Sequence, residues 1–199
     1  MIQKDTALLI IDMQQDFVRE GTPLCVAGAA ATVPVIASLL ADCRNSGRIA
    51  IFHIVREYEP DGTDLERCRL EAFHRVPGAI RGTAGAEIVP ELQPHPGETV
   101  IVKPRYSAFF QTKLDLCLRR LVVDSLLISG TQYPNCIRAT VTDALSLDYQ
   151  VTVISDCCSA RTPEIAEANL TDMRNLGARG LTFAEWRLEI SGHLLPSSC

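Results

Sequence analysis

Thr6-Ala7-Leu8-Leu9-Ile10-Ile11-Asp12 is an unbroken apolar run that ends on a carboxylate. A half-buried strand alternates apolar and polar residues. A run that is apolar at almost every position reads instead as a strand covered on both faces, the mark of a parallel sheet under helices. The pattern recurs outward from there. Residues 49–55, 99–102, 125–129, 151–154 and 181–183 read as five further strands. Helices read between them: 29–45, with Val33, Ile36, Leu39, Leu40 and Cys43 on one face and Gly47 as its stop; 112–121; 134–147, with Ile137, Val141, Ala144 and Leu145 together; and 163–176. Strands alternating with helices predict a parallel α/β sheet covered on both sides. Residues 57–97, rich in charge, Gly and Pro, read as a long surface excursion.

Composition narrows the function. A chain of 199 residues is enough for one domain, or at most two small ones, and holds a core without staples. The net charge of −5, with no run of Lys or Arg, gives no electrostatic support for a nucleic-acid or anionic-membrane partner. No apolar run approaches the ~20 residues of a membrane-spanning helix, and the first residues lack a leader pattern. The expected location is the cytoplasm. The eight cysteines, at 25, 43, 68, 117, 136, 157, 158 and 199, lack the clustered spacing of a zinc site or a secreted scaffold. Most are expected to be free and buried.

Ligands of such sheets sit at the carboxyl ends of the strands. The residues there are Asp12, Lys103 and the turn Gly130-Thr131-Gln132-Tyr133-Pro134-Asn135-Cys136. Any one ionisable group can end a strand as a cap or a surface ion pair; together they are a carboxylate, an ammonium and a thiol. Pro134 suits a first helical turn, which puts Cys136 in that turn, where the helix dipole favours a thiolate. A neighbouring Lys103 is expected to lower the thiol pKa further, so that Cys136 outpaces the other cysteines with iodoacetamide at pH 6. Asp12 is placed to shuttle the proton, and unpaired helix-start N–H groups to receive an oxyanion. The bland alternative is a buried structural cysteine.

The stretches Ile-Ile-Asp12-Met-Gln-Gln-Asp-Phe, Val-Lys103-Pro-Arg-Tyr-Ser-Ala-Phe and Gly-Thr-Gln-Tyr-Pro-Asn-Cys136-Ile-Arg-Ala-Thr resemble, in that order, the isochorismatase-like cysteine hydrolase superfamily. The similarity runs from about residue 5 to 185 and takes in Asp61-Gly62-Thr63-Asp64, Gly82-Thr83-Ala84-Gly85 and Thr142-Asp143-Ala144. It implies one domain over residues 1–199, folded as a three-layer α/β/α sandwich with a six-stranded parallel sheet. It implies a triad of Asp12, Lys103 and Cys136, a cis peptide at Thr131–Gln132, and an oxyanion hole from the Gln132 and Cys136 amides. The implied activity is hydrolysis of a C–N bond in a small amide, ureide or carbamoyl compound through a Cys136 thioester, without a cofactor, in a homo-oligomer.

Departures from the family pattern narrow this. Isochorismatases proper cleave a vinyl ether and lack the cysteine. Nicotinamidases hold a metal through an Asp-x-His pair and a further His, which Ile51-Phe52-His53-Ile54-Val55-Arg56-Glu57-Tyr58 lacks, so no metal is expected and His53 reads as a strand residue. Phe17, Tyr106, Phe110 and Tyr133 flank the motifs and line either the pocket or the core. Gln14 and Arg56 are polar contacts or surface residues. Residues 61–69 form a lid, a subunit contact or a solvated loop. Cys157-Cys158 is a redox pair or, more simply, two small residues closing the fifth strand, and Cys199 reads as an exposed, oxidisable thiol. A cyclic-amide (streptothricin-type lactam) hydrolase and a non-catalytic binding member of the fold are the alternative functions.

Overall fold

Alternate side chains of β1 (Thr6–Ile11) leave opposite faces of the backbone, and both faces are dry. Leu8 and Ile10 join one core with Ile51, Leu127 and Ile154; Ala7, Leu9 and Ile11 join another with Phe52, Ile54, Ile101 and Ile128. Each fully buried aliphatic side chain of this kind is worth about 1.5–3 kcal/mol. The structure is a computed structural model and describes residues 5–192, so Cys199 lies outside the described residues.

β1, β2 (Ile49–Arg56), β3 (Thr99–Lys103), β4 (Ser125–Thr131), β5 (Gln150–Ser159) and β6 (Arg179–Leu181) form one sheet in the order β3-β2-β1-β4-β5-β6. Every neighbouring pair is parallel. The α-helices among the described residues are α1 (Gln15–Val18), α2 (Ala29–Ser46), α3 (Leu70–Arg75), α4 (Leu114–Arg120), α5 (Arg138–Ser146), α6 (Pro163–Asn175) and α7 (Phe183–Gly192). α2 and α7 cover one face through Ile36, Leu39, Leu40 and Trp186. α4, α5 and α6 cover the other through Leu118, Val141, Ala144 and Met173. This is the three-layer α/β/α sandwich. Among the described residues no helix is long and apolar enough to cross a membrane.

The chain lays β2 and β3 to one side of β1, then returns to place β4 on the other. β1 and β4 therefore border the point where the strand order reverses, the crevice in which sheets of this order hold ligands. Residues 57–97 are less of an excursion than their composition predicts. They contain α3 and short 3₁₀ turns at Arg67–Arg69, Ala84–Ala86 and Pro90–Leu92. They are pinned back by bridges from Tyr58 to Ile80 and from Gln14 to Ile88, and by the Val89 N–H donating to the Met13 carbonyl at 3.0 Å. Tyr58, Leu65, Phe73 and Ala79 give the segment a small core of its own.

Most element ends fall within one or two residues of the sequence reading, β4 running on to Thr131 and α4 beginning at Leu114, and three differences have a structural cause. The last strand lies at Arg179–Leu181, not 181–183, because Thr182 and Glu185 form a capping box that starts α7 at Phe183. The Glu185 carboxylate accepts the Thr182 N–H at 2.7 Å, and the Thr182 hydroxyl accepts the Glu185 N–H at 3.2 Å. β5 runs past residue 154 to Ser159, with a register shift opposite β4 that absorbs the polar pair Ser155-Asp156. Asp156 accepts the Phe183 N–H at 2.8 Å, while Cys157 and Cys158 stay buried in the strand. The helix read at 134–147 opens with a wide π turn, Tyr133–Ile137, before α5.

Candidate functional site

The site is built where β4 ends. Gly130 has φ +116°, and a Cβ on it would stand 2.1 Å from the Ile11 carbonyl oxygen, so only glycine lets β4 finish against the end of β1. The Thr131–Gln132 peptide that follows is cis. The Gln132 carbonyl then accepts the N–H groups of Asn135 (3.2 Å) and Ile137 (3.3 Å), which closes the first turn with Cys136 inside it, 6% exposed. Across the crevice Asp12 adopts φ +53°, a left-handed conformation that Asp tolerates better than most residues. Its N–H still donates to the Ile54 carbonyl at 2.8 Å, so the bend comes immediately after the last ladder bond. β2 and β3 are in register at Arg56 and Lys103, which puts those two side chains on one face at neighbouring strand ends.

The three reactive groups meet there. The Lys103 Nζ lies 2.9 Å from the Asp12 Oδ2 and 3.5 Å from the Cys136 Sγ, and it also donates to the Arg105 carbonyl at 3.2 Å. Lys103 and Asp12 are 0% and 1% exposed. Burial, reinforced by the adjacent Asp12 carboxylate and its hydrogen bond to the thiol, pushes the Cys136 pKa up to about 11. Lys103 and Arg56 pull it down and do not compensate. This direction runs against the expectation of a preformed thiolate: burial and the carboxylate favour a thiol that keeps its proton beside a group able to take it.

The other sequence candidates divide. Arg56 is buried within electrostatic reach of Cys136 and Asp12, and its guanidinium lies 4.7 Å from the centre of the Tyr106 ring. Gln14 does not offer a free amide. Its side chain accepts the Arg56 N–H at 2.7 Å and donates to the carbonyls of Arg56 (2.8 Å) and Ala86 (2.6 Å), which makes it a buried brace under Arg56. Tyr133 is buried too, with its hydroxyl donating to the Ser155 carbonyl at 3.1 Å. Phe17 packs against the small core of Tyr58 and Phe73. Phe110 is half exposed, and its neighbour Phe109 takes the core position. His53 is a β2 residue bonded to Glu98 at 2.8 Å. Among the described residues no group of three His, Cys, Asp or Glu side chains is arranged to hold a metal ion.

Tyr58, Glu66 and Arg69 were missed. The Tyr58 hydroxyl accepts from both the Arg56 and Arg69 guanidinium groups, and Glu66 stands 3.9 Å from Arg56 and 3.4 Å from Arg69. The charged run at 61–69 signalled Glu66 and Arg69 only as charge, without the fold that turns them inward, and Tyr58 lies outside that run. A cavity of about 760 Å³ lies at the opposite, amino ends of the strands, among Thr6, Arg48, Gln150 and Trp186. It holds none of the reactive trio.

A sheet of this order, carrying a carboxylate, an ammonium and a thiol at its reversal point, agrees with a direct match: residues 6–185 fit the isochorismatase domain model, and the chain belongs to that family. It is 43% identical over 192 residues to a protein of Arabidopsis thaliana named probable inactive nicotinamidase, covering 94% of this chain and 97% of that one. It is 33% identical to a ureidoacrylate amidohydrolase of Pantoea ananatis, over 82% of this chain and 73% of the relative. Among solved structures, an isochorismatase family protein from Desulfovibrio vulgaris superposes with a TM-score of 0.90 at 51% identity, covering 94% and 99% of the two chains.

Proposed function

We propose that the protein is a cysteine amidohydrolase that cleaves a C–N bond of a small amide, ureide or carbamoyl compound through a thioester on Cys136. The observation that carries this is the Asp12–Lys103–Cys136 contact, closed to water and placed at the sheet's reversal point. A buried ion pair beside a thiol contributes little to stability that an apolar replacement would not match, so its retention speaks for chemistry. In this reading the Asp12 carboxylate takes the thiol proton as sulfur attacks the carbonyl carbon. The carbonyl electron pair moves to oxygen, where the backbone N–H groups of Gln132 and Cys136 receive it. Collapse of the adduct breaks the C–N bond, and Asp12 returns the proton to the departing ammonia or amine. Water, deprotonated by Asp12, then attacks the thioester; the acid leaves, and the proton returns to sulfur. Lys103, 2.9 Å from the Asp12 carboxylate, holds it in place while the proton comes and goes.

The Arabidopsis relative's name concerns nicotinamide, and residues 51–58 of this chain hold no Asp-x-His pair. The amidohydrolase name of the Pantoea relative supports the linear-amide reading. The test is ammonia release from a panel of small amides, ureides and carbamoyl compounds. Wild-type protein is expected to release ammonia from at least one of them and Cys136→Ala from none. Equal release by both proteins would remove Cys136 from the reaction.

A further inference from the structure

Arg56 is the largest investment in the site that the acyl-transfer steps leave unused. It is 2% exposed, yet two of its guanidinium nitrogens, Nε and Nη2, have no hydrogen-bond partner. The third, Nη1, donates to the Tyr58 hydroxyl. The guanidinium carbon lies 4.7 Å from the centre of the Tyr106 ring and 5.5 Å from that of Tyr58, and the Arg56 backbone is locked by the Gln14 amide. A rigid fork with two open donors, paired across the strands with Lys103 and within electrostatic reach of Cys136 and Asp12, suits a planar anion.

The charges agree. In the contact network Lys103 is neutralised by Asp12, whereas Arg56 and Arg69 share the single carboxylate of Glu66, at 3.9 and 3.4 Å. Tyr58 adds no anion, because burial outweighs the two guanidinium groups and lifts its hydroxyl to about 12. One positive charge is left over between the two: Arg69, at 28% side-chain exposure, is partly solvated, whereas Arg56 is shut away from water and acts on the thiol. An unpaired buried charge is costly, and a substrate that supplies its counter-charge removes that cost on binding.

We infer that Arg56 is the specificity residue of the site and that the substrate is a short amide or ureide bearing a carboxylate, which the Arg56 fork grips while the amide carbon faces Cys136. This rests on the amidohydrolase reading for the reaction, but not for the binding.

The test separates the two. Cys136→Ala protein is titrated by calorimetry with succinamate and with N-carbamoylglycine, and with the methyl ester of each; wild-type protein is assayed for ammonia with the same four compounds. Each acid is expected to bind at least roughly 30-fold more tightly than its ester, the loss typical when one member of a buried charge pair is removed. Arg56→Gln in the same background collapses that preference, and Arg56→Lys keeps part of it, since charge remains while the fork is lost. Esters that bind as well as the acids, or neither acid binding at millimolar concentration, would overturn the inference even if Arg56→Gln fails to fold. A preference that survives in a folded Arg56→Gln protein would overturn it too. Arg56-dependent binding of the acids with no ammonia from wild type would leave the anion site standing and defeat the amidohydrolase reading. Ammonia released equally from acids and esters would do the reverse.

Discussion

Cys136 holds its proton because sulfur sits in a dry site beside a carboxylate, and the nearby cations do not outweigh both effects. Alkylation by iodoacetamide therefore follows the thiolate fraction: slow at pH 6, behind the exposed Cys25 and Cys68, and rising toward a midpoint near pH 11, as read by peptide mass spectrometry across pH. Labelling of Cys136 first at pH 6 would mean a resting ion pair instead. The sign for stability follows. The folded pKa lies above the ordinary value of 9.0, so the contribution is complete below pH 9 and is lost as pH rises to about 11. Asp12 tests the other half of the pair. Asn adopts the same left-handed backbone, so Asp12→Asn keeps the geometry while removing the base. Ammonia release should fall by ~10²–10⁴-fold. The Lys103 ammonium, 0% exposed, is then left unpaired, at a cost of about 3–5 kcal/mol. In urea titrations, adding Lys103→Met to Asp12→Asn should recover stability; a further loss would show that the pair is not coupled.

At the scale of elements, two joints fix how the strands and their neighbours meet. The end of β4 is one. Gly130→Ala forces a Cβ into the Ile11 carbonyl at a φ that alanine avoids. Unfolding should become easier by roughly 3 kcal/mol or more, with Asp12 displaced and activity lost along with it; a neutral effect would mean that β1 and β4 part freely at their ends. Glu98 is the other joint. It ties α2 to β2 by accepting from Arg44 at 2.7 Å, bonding His53 at 2.8 Å and accepting the His95 N–H at 3.0 Å. Burial alone would raise its pKa, but Arg44, the His95 N–H and His53 outweigh that and hold it down to about 2. A depressed carboxylate stabilises above its ordinary value of 4.5 and loses that contribution as pH falls toward 2. Wild type should therefore be more stable than Glu98→Gln at pH 7, with the gap closing between about 4.5 and 2. A gap that does not change with pH would mean that the ionised form is not what matters.

Over the whole molecule, the sheet separates chemistry from bulk. A cavity of about 760 Å³ opens at the amino ends of the strands, and the Asp12–Lys103–Cys136 group stands at the carboxyl ends. Arg48→Ala, in that cavity, should leave ammonia release within about 2-fold of wild type, since surface changes away from a site are nearly neutral; a large loss would move the site to the wrong end of the sheet. The same geography explains what the sequence discloses. Runs such as Thr6–Ile11 carry their double burial in every residue, and reactive groups that end strands are legible because topology sends all those ends to one place. What stays hidden depends on sums over distant parts. Arg56 and Arg69 converge on Tyr58 only because residues 57–97 fold back beside the end of β1, and the thiol's pKa is a balance between burial and three charges that no motif weighs. The start of α7 was legible after all, in the Thr182-x-x-Glu185 capping box.

The central claim is a covalent acyl intermediate on Cys136. Wild-type protein turning over an amide found active in the ammonia panel, quenched in acid and digested, should show the Cys136 peptide heavier by the acyl group, and Cys136→Ala should show neither the adduct nor ammonia. Ammonia released at the wild-type rate by Cys136→Ala, with every cysteine peptide unmodified, would contradict the account.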